Sequence, residues 1–560
     1  LRQAISSLTR RNENPYDGEA FYNLGLTLRY REEADEAYAI FYKAAWNYAW
    51  RAPAFHALAE LDAARGDWGR ALEHIEQCLR TNADDGNARN LAALCLQRLD
   101  RHTEAEETLA GTLKLDPLDP WARHLADGSF AGDEETRLDI AFDYARAGFY
   151  AEALELLASA RTPMLLYTRA FCEARLGRSA GESLAVAAKA SPDYCFPSRL
   201  EEMLVLQFAI EANPHDARAR YYLGNLLYDK RRHREAMTLW EQSAALDPSF
   251  SIVWRNLGIG YFNVLRDPAK ALYAFEKARA ANPMDARLLY EQDQLAKRTG
   301  ALPKARLARL EQYPDLVAQR DDLSVEMAAL YNQTAQHKRA LELLESRQFQ
   351  PWEGGEGLTI VQHVRAHLAL GRRALSNYDA LDATRQFEAT LENPPRAGEA
   401  IHPLANHSNV YYWLGIAWEA RGEEERARRW WRKAAEAADD ISEMTYYSAL
   451  ALRKLGEEDR CERLLRRLLA HAREMSRKPA GIDYFATSLP TMLLFQDDLE
   501  ARRNINAAFL EAQARLGLGD KKRARPLLRR VLKLDPSHTM AMDLCEELLS
   551  ELPASLEARV

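Results

Sequence analysis

Two histidines four residues apart, His363 and His367, are the first residues whose type and spacing could support chemistry. On a helix this spacing places both imidazoles on one face, which is how zinc-binding helices present their ligands. No HExxH sequence and no third ligand accompanies the pair. We therefore predict no metal site, and we interpret both residues as solvated or packed histidines.

A glycine-rich segment, SRQFQPWEGGEG at 346–357, has the composition of a loop that could cradle phosphate. A phosphate loop follows a strand and presents Lys and Ser or Thr after its glycines. This segment follows a predicted helix and supplies glutamates, which repel phosphate, so a structural turn is the favoured interpretation. An alternative stays open, in which 346–357 folds against 393–407 and forms a loop pocket. The residues of that pocket would be Trp352, Glu353, His402 and His407.

The sequence contains no nucleophile elbow, no dinucleotide fingerprint and no acid–base pair that its spacing singles out. We therefore expect no catalytic activity and no cofactor. Lys and Arg number 75 against 83 Asp and Glu, a net charge of −8, which argues against nucleic acid or an anionic membrane as partner. The basic runs at 426–433 and 521–533 are interpreted as solvated helix faces. No apolar run approaches the roughly 20 residues that span a bilayer.

Six cysteines are present, and none forms a CxxC pair. We interpret them as buried reduced thiols, because free Cys packs as a small hydrophobe, and this predicts a cytoplasmic location. The first residues, LRQAISSLTRR, include no Met and no apolar signal segment. The chain is therefore expected to be a piece of a longer one.

The elements that would position these residues recur at a fixed period along the chain. Small residues recur every 34 residues. Gly25, Ala59 and Ala93 form one such series, and Ala37, Ala71 and Ala105 form another. A small residue is needed where two helices cross closely, although Gly inside a helix costs about 1 kcal/mol relative to Ala. A single repeat unit of this length is too small to be stable alone, so the units must stack on one another.

Two further signals accompany the small residues. Aromatic residues at 41, 240, 275 and 431 occupy the position where helices pack, and we predict that they are core residues. Asp-Pro or Asn-Pro follows the second helix of several units and should end it, because Pro lacks the amide N–H. The stretches 120–216, 286–406 and 476–504 keep only parts of this pattern.

These residues and their period resemble the tetratricopeptide repeat family. The resemblance implies an all-α fold, a right-handed α-solenoid of helix pairs with several degenerate repeats and loop insertions. The predicted divisions are an N-terminal repeat block (1–119), degenerate repeats (120–216), a central block (217–285), degenerate repeats with Gly- and Pro-rich loops (286–407), a third block (408–475), an irregular aromatic linker (476–504) and a final repeat with a capping helix (505–560).

A narrower resemblance is carried by YYLGNLLYDKRR, VWRNLGIGYFN, PWEGGEG, HPLAN and DYFATSLP. These segments look like the repeat tail of a bacterial family of unknown function, in which a β-rich, mutarotase-like domain comes first. That domain is absent from this sequence. The resemblance implies an alternative function, that of an accessory, carbohydrate-binding region in which Trp352 stacks on a sugar ring.

The family resemblance also predicts where a partner would bind. The first helix of each pair lines the groove of such solenoids, and Tyr and Arg are enriched at binding hot spots. The predicted partner-binding residues are Arg218, Tyr221, Asn225, Tyr228, Arg255, Asn256, Phe262, Arg287 and Tyr290.

Some members of the family clamp the C-terminal carboxylate of a partner with Lys, Asn and Arg. Asn225, Asn256 and Arg287 match three clamp positions, whereas Tyr221 and Glu291 replace basic residues. The alternative is that both asparagines hydrogen-bond to neighbouring helices. The sequence thus predicts a protein-interaction scaffold that binds a peptide or helix. Self-association through the solenoid ends is a third alternative.

Overall fold

The computed structural model describes residues 1–13, 15–352, 354–436, 441–481 and 494–550. Throughout these ranges the regular secondary structure consists of 31 α-helices, without a strand. The predicted all-α class is therefore confirmed. The chain divides into two compact units, unit 1 (Leu1–Ser249) and unit 2 (Phe250–Val560).

Unit 1 contains fifteen described helices. They are α1 (Arg2–Leu8), α2 (Glu19–Tyr30), α3 (Ala34–Ala44), α4 (Tyr48–Ala64), α5 (Trp68–Thr81), α6 (Gly86–Arg98), α7 (His102–Leu115), α8 (Pro120–Asp127), α9 (Glu134–Arg146), α10 (Tyr150–Leu156), α11 (Pro163–Arg175), α12 (Gly181–Ala187), α13 (Leu200–Ala212), α14 (Ala217–Asp229) and α15 (His233–Leu246).

Unit 2 contains sixteen described helices. They are α16 (Ser251–Asn263), α17 (Pro268–Ala281), α18 (Ala286–Arg298), α19 (Pro303–Leu310), α20 (Pro314–Ala318), α21 (Asp321–Gln333), α22 (His337–Ser346), α23 (Leu358–Ser376), α24 (Ala380–Ala389), α25 (Ser408–Ala420), α26 (Glu424–Glu436), α27 (Thr445–Lys454), α28 (Glu458–Met475), α29 (Leu499–Gly517), α30 (Lys521–Leu534) and α31 (Thr539–Ser550).

The most extensive helix contacts join successive helices of a pair, as in α4 with α5, α14 with α15, α16 with α17 and α25 with α26. Each pair then packs on the next, as α3 does on α4 and α26 on α27. Short connections make successive helices antiparallel neighbours. Each unit is therefore an α-solenoid of stacked helix pairs, as predicted.

Close approach within a pair explains the recurrent glycine. A Cβ atom at Gly224 would lie 2.4 Å from Nε1 of Trp240, and one at Gly415 would lie 2.1 Å from Nε1 of Trp431. The aromatic ring of the second helix thus lies directly on the glycine of the first. The rings at 41, 240, 275 and 431 are all buried, which confirms that they are core residues.

Helix ends also follow the sequence. Asp247, Asn282 and Asp535, each followed by Pro, are the C-caps of α15, α17 and α30. At the opposite end, Asp216 and Asp285 cap α14 and α18 by accepting hydrogen bonds from backbone N–H groups of the first turn. A side-chain cap of this kind stabilises a helix by about 1 kcal/mol.

The C-terminal helix α31 forms where the capping helix was predicted, and it packs on α23 as well as on the preceding α30. Arg365 of α23 makes a bidentate ion pair with Asp543, with Nη2–Oδ1 and Nε–Oδ2 distances of 2.8 and 3.0 Å. Glu547 accepts hydrogen bonds from Arg372 of α23 and from the Tyr447 hydroxyl of α27. Helix α31 therefore covers part of the surface of α23.

None of the helices in the described ranges combines the length and the apolar character that a bilayer crossing needs.

Candidate partner-binding surfaces

In unit 1, the predicted binding residues on α14 are largely engaged within their own helix pair. Tyr221 is only 7% exposed, and its ring lies 5.2 Å from that of Tyr222. Oδ1 of Asn225 accepts a hydrogen bond from Nε1 of Trp240 at 3.1 Å. For Asn225 the structure thus supports the alternative that the amide hydrogen-bonds to a neighbouring helix.

The other two residues of α14 are half-buried. The Tyr228 ring lies 4.5 Å from the ring of His233 and 5.1 Å from that of Trp240. Arg218 approaches Asp247 with an Nη2–Oδ2 distance of 3.8 Å. Both side chains retain exposed atoms along α14 that a partner could contact.

In unit 2, the two predicted arginines share one buried carboxylate. Arg255 donates two hydrogen bonds to Glu291, both 2.6 Å long, and Arg287 donates a third at 2.8 Å. The Glu291 side chain is 5% exposed, whereas that of Arg287 is 60% exposed. Two cations around one carboxylate leave the cluster with a net positive charge. The negative charge of Glu291 is therefore balanced by one of the two arginines, so Glu291 does not by itself repel the carboxylate of a partner.

Asn256 and Tyr290 lie beside this ion pair. Oδ1 of Asn256 is 3.4 Å from Nη1 of Arg255. Burial and the Asp322 carboxylate raise the pKa of Tyr290, so its hydroxyl stays protonated. The Arg320 guanidinium lies 5.8 Å from the Tyr290 ring centroid.

Phe262, the remaining predicted residue, already contacts a segment of the chain. Phe495 comes from the irregular stretch that precedes α29. Its ring centroid lies 5.4 Å from that of Phe262 and 5.7 Å from that of Phe275. Phe495 is only 1% exposed. The Arg298 guanidinium of α18 lies 5.8 Å from the same ring, so three consecutive helices, α16 to α18, hold an aromatic side chain that comes from a distant part of the sequence.

The main chain around Phe495 is held by one side-chain amide, that of Asn263. Nδ2 of Asn263 donates to the carbonyl oxygen of Leu494, and the N–H of Gln496 donates to Oδ1 of Asn263, both at 2.9 Å. Two side-chain contacts lie next to these two main-chain hydrogen bonds. Arg266 donates to Oε1 of Gln496 at 2.8 Å, and Arg298 pairs with Asp497 at 3.2 Å.

The sequence did not identify Asn263, Arg266 or Arg298 as binding residues, because each stands outside the repeating small-residue pattern. The only signal in the sequence was the irregular composition of the predicted aromatic linker, 476–504. The segment DYFATSLP of that linker, which carries part of the narrower resemblance, lies outside the described residues.

A second cluster of charged residues lies in unit 1 around a cavity of about 440 Å³. Glu60 pairs with Arg29 at 2.5 Å and with Arg146 at 3.1 Å. Arg146 also pairs with Glu201 at 2.8 Å, and the Tyr30 hydroxyl donates to the same carboxylate. Burial alone would raise the pKa of Glu60, but Arg29, His56 and Arg146 outweigh it and hold this pKa well below its usual range.

Beside this cavity, His56, Cys78 and Asp85 place one ligand atom each within 4.8 Å of one another. The set is chemically suited to zinc, but its atoms already have partners. Sγ of Cys78 approaches Oδ2 of Asp85 at 3.7 Å, and Oδ1 of Asp85 caps α6. His56 faces Glu60 with an Nε2–Oε1 distance of 3.7 Å. We interpret the cluster as a hydrogen-bonded junction between α4, α5 and α6.

The glycine-rich segment 346–357 does fold against 393–407. The Phe349 N–H donates to the carbonyl oxygen of Arg396 at 2.9 Å, and the Gly357 N–H donates to Oε2 of Glu399 at 2.7 Å. Gly398 has a φ of +76°, and a Cβ atom there would lie 2.3 Å from the carbonyl oxygen of Phe349. This contact requires glycine.

The predicted loop-pocket residues have separate surroundings. The Trp352 ring covers Gly355, where a Cβ atom would lie 1.9 Å from Cε2 of Trp352, and it packs on the core around α21. His402 is exposed, and His407 places its ring 6.1 Å from Tyr411. Glu353 lies outside the described residues. The sugar pocket remains a sequence-based prediction that none of these contacts supports.

The histidine pair predicted to share a helix face does so on α23, with ring centroids 4.4 Å apart. His367 is hydrogen-bonded to Oε1 of Gln386 through Nδ1 at 2.8 Å. Burial, with a contribution from His367, lowers the pKa of His363 to about 4. His363 is therefore neutral at pH 7, as a packed histidine should be.

Family models described as tetratricopeptide repeat match residues 62–127, 205–249 and 505–538. Among solved structures, the chain is similar to YrrB, described as a TPR protein with an unusual peptide-binding site, at 20% identity and a TM-score of 0.17. That match covers 40% of this chain and 98% of YrrB.

Yeast Tom70 matches at 14% identity and a TM-score of 0.26, covering 82% of this chain and 99% of Tom70. A chain of the Naa15/Naa10 complex bound to HypK-THB matches at 13% identity and a TM-score of 0.23, covering 100% of this chain and 94% of that one. Similarities at these TM-scores say nothing about shared function.

The narrower resemblance to one bacterial family stays a prediction. The three family-model matches lie in separate parts of the chain, and the helix pair with its glycine and covering ring recurs in both units. The chain therefore contains tetratricopeptide repeats in both units.

Proposed function

We propose that this protein is an interaction scaffold whose helix faces bind short segments of partner proteins. The observation that carries the proposal is the way α16 to α18 hold residues 494–497. There, a side-chain amide binds the main chain while an aromatic side chain is buried. Helix faces with this chemistry suit a protein ligand, because hydrogen bonds to main chain supply affinity and a side-chain pocket supplies specificity.

The predicted binding residues divide into two groups under this proposal. Tyr221 is buried and Arg255 is paired with buried Glu291, so their replacement by Ala would disturb folding as well as binding. Arg287 is 60% exposed and Tyr228 is half-buried, which leaves surface for a partner. We propose that Arg287 contributes through its exposed guanidinium, which suits an acidic or carbonyl-rich segment.

A peptide library tests this function without requiring that the partner be identified. Random twelve-residue peptides displayed on phage would be selected on the immobilised full chain, and the enriched peptides would be measured individually by fluorescence anisotropy. We expect an enriched consensus whose affinity falls about tenfold, or about 1.4 kcal/mol, when a helix-face residue such as Arg287 is changed to Ala.

Arg385→Ala provides the matched control, because Arg385 is 73% exposed and its ion pair with Asp382, at 3.6 Å, is local to α24. The proposal is wrong if no consensus emerges, or if the enriched peptides bind equally well to all helix-face variants.

A further inference from the structure

The surface formed by α16 to α18 is already occupied by residues 494–497, Leu-Phe-Gln-Asp. We propose that this surface is a recognition site for a partner segment with an aromatic anchor followed by an acidic residue. Residues 494–497 act as its internal ligand and compete with the partner for it. This inference rests on the proposed function, because it assigns that function one surface and one class of ligand.

The contact with the main chain is the first argument. Asn263 binds the carbonyl oxygen of Leu494 and the N–H of Gln496, the two main-chain groups on either side of Phe495, where the chain bends. A side-chain amide can satisfy both groups with its donor and its acceptor. Because these two bonds involve no side chain of the bound segment, Asn263 would bind another segment that bends in the same way.

The aromatic anchor is the second argument. Phe495 is buried among Phe262 and Phe275, and the Arg298 guanidinium lies 5.8 Å from its ring. Buried aromatic anchors dominate the energetics of most interfaces. Phe262 and Phe275 belong to successive helices, so the pocket is a property of the helix pair and does not depend on the origin of the ring that fills it.

Charge is the third argument, and it sets the polarity of the ligand. Arg266 binds the Gln496 side chain, and Arg298 pairs with Asp497, whose side chain is 21% exposed. Arg298 also donates to the carbonyl and side-chain oxygens of Gln294, which fixes its position. A segment with a carboxylate two residues after its Phe would satisfy Arg298, whereas a basic residue there would be repelled.

An internal ligand weakens binding of the partner by competition. A tethered segment competes at an effective concentration on the order of millimolar, so a partner must bind more tightly or displace it in steps. Removing the anchor of the internal segment should therefore raise the affinity for an added peptide of the same chemistry.

The test uses a fluorescein-labelled peptide LLFQDDL and the full chain, with a control peptide that carries Ala in place of Phe. We expect Phe495→Ala to bind LLFQDDL at least tenfold more tightly than the wild type, and the control peptide to bind to neither. Adding Asn263→Ala to Phe495→Ala should abolish the gain.

Phe495→Ala empties a buried site and could unfold the chain, so a second variant protects the test. Gln496→Ala/Asp497→Ala removes only the contacts of an exposed and a partly exposed side chain, and it should improve binding about three- to fivefold. Circular dichroism verifies that each variant is folded.

Failure of folded variants to bind LLFQDDL would overturn the inference and leave 494–497 as structural packing. If library-selected peptides still bind to other helix faces, the proposed function survives that result. If neither LLFQDDL nor any library peptide binds, both proposals fail.

Discussion

At the scale of single residues, the strongest determinant of the fold is the glycine under an aromatic ring. It explains why the repeat tolerates a poor helix former, since any side chain at Gly224 would collide with Trp240. The same argument holds for Gly258 and Phe275, where a Cβ atom would lie 2.5 Å from Cδ2 of the ring.

We predict that Gly224→Ala destabilises unit 1 by about 1–3 kcal/mol, the usual cost of overpacking a core. Urea denaturation followed by tryptophan fluorescence measures this change. Gly69→Ala is the matched control, because a Cβ atom at this exposed helical position would meet no described atom within 4 Å beyond its chain neighbours and the backbone of its own helix. It should leave stability unchanged or raise it by up to about 1 kcal/mol. Equal effects of the two substitutions would contradict the steric explanation.

His56 gives unit 1 a dependence on pH. Burial alone would lower its pKa, but the adjacent Cys78 and Glu60 side chains outweigh burial and raise the pKa to about 10. The unfolded-state pKa is about 6.5, so the protonated form stabilises the fold fully below that pH. This contribution is lost as the pH rises through about 10.

We therefore expect the free energy of unfolding to decrease between pH 7 and pH 10, and about 1–3 kcal/mol of that decrease to be absent in His56→Gln. Urea titrations at several pH values measure it. His102→Gln serves as control, since the His102 side chain is 68% exposed. A His56→Gln profile parallel to that of the wild type would show that His56 is not the group responsible.

At the scale of helices, the sequence predicted the pairs and their ends better than their long-range contacts. Gly371 and Phe387 have the same sequence spacing as Gly415 and Trp431, and Gly371 lies under the Phe387 ring in α23 and α24. This pair has the signal of a regular repeat, although it lies in the stretch interpreted as degenerate. Loop insertions interrupt the period there and hide the pair from a search at fixed spacing.

The contacts of Asn263 with Leu494, and of Arg372 with Glu547, could not be predicted in the same way. They join residues separated by 231 and 175 positions. A periodic pattern fixes only neighbouring helices, whereas these contacts depend on how successive pairs accumulate twist. The sequence therefore named Phe262 among its predicted binding residues but not Phe495, whose ring packs against it.

Helix α31 illustrates the cost of breaking such a contact. Glu547 pairs with Arg372 at 3.0 Å, where the two side chains are 8% and 7% exposed, and it accepts from the Tyr447 hydroxyl. We predict that Glu547→Ala destabilises unit 2 by about 3–5 kcal/mol, because it removes the nearer and more buried of the two carboxylates that pair with the Arg372 guanidinium.

The adjacent Glu546 provides the control. Its side chain is 39% exposed and lies 3.6 Å from both His337 and Arg372, so Glu546→Ala should cost less than about 1 kcal/mol. Urea midpoints of the two variants measure the difference. Equal losses would mean that α31 is held by its apolar face rather than by Glu547.

At the scale of the whole molecule, the stacking of helix pairs distributes stability along the chain. Each pair buries its apolar face against its neighbours, so stability is approximately a sum of local terms. Contacts that close a unit on itself add to this sum. In unit 1 the Tyr30 hydroxyl of α2 donates a hydrogen bond to Glu201 of α13. In unit 2 the Arg306 side chain, which is 1% exposed, pairs with Asp293 and Glu326. Arg306 also donates a hydrogen bond to Oγ of Ser537.

We therefore predict that residues 1–249 and 250–560, produced separately, each fold into a helical, cooperatively unfolding fragment, because each retains its own core and its own closing contacts. Circular dichroism and urea titration of the two fragments and the full chain measure this. In the fragment 250–560, Arg306→Ala should lower stability by about 3–5 kcal/mol, since it leaves Asp293 buried without its cation. The same substitution should leave the transition of fragment 1–249 unaffected when the two fragments are mixed. A fragment with helical content but no cooperative transition would contradict the division into two units, since its core would then depend on residues of the other half.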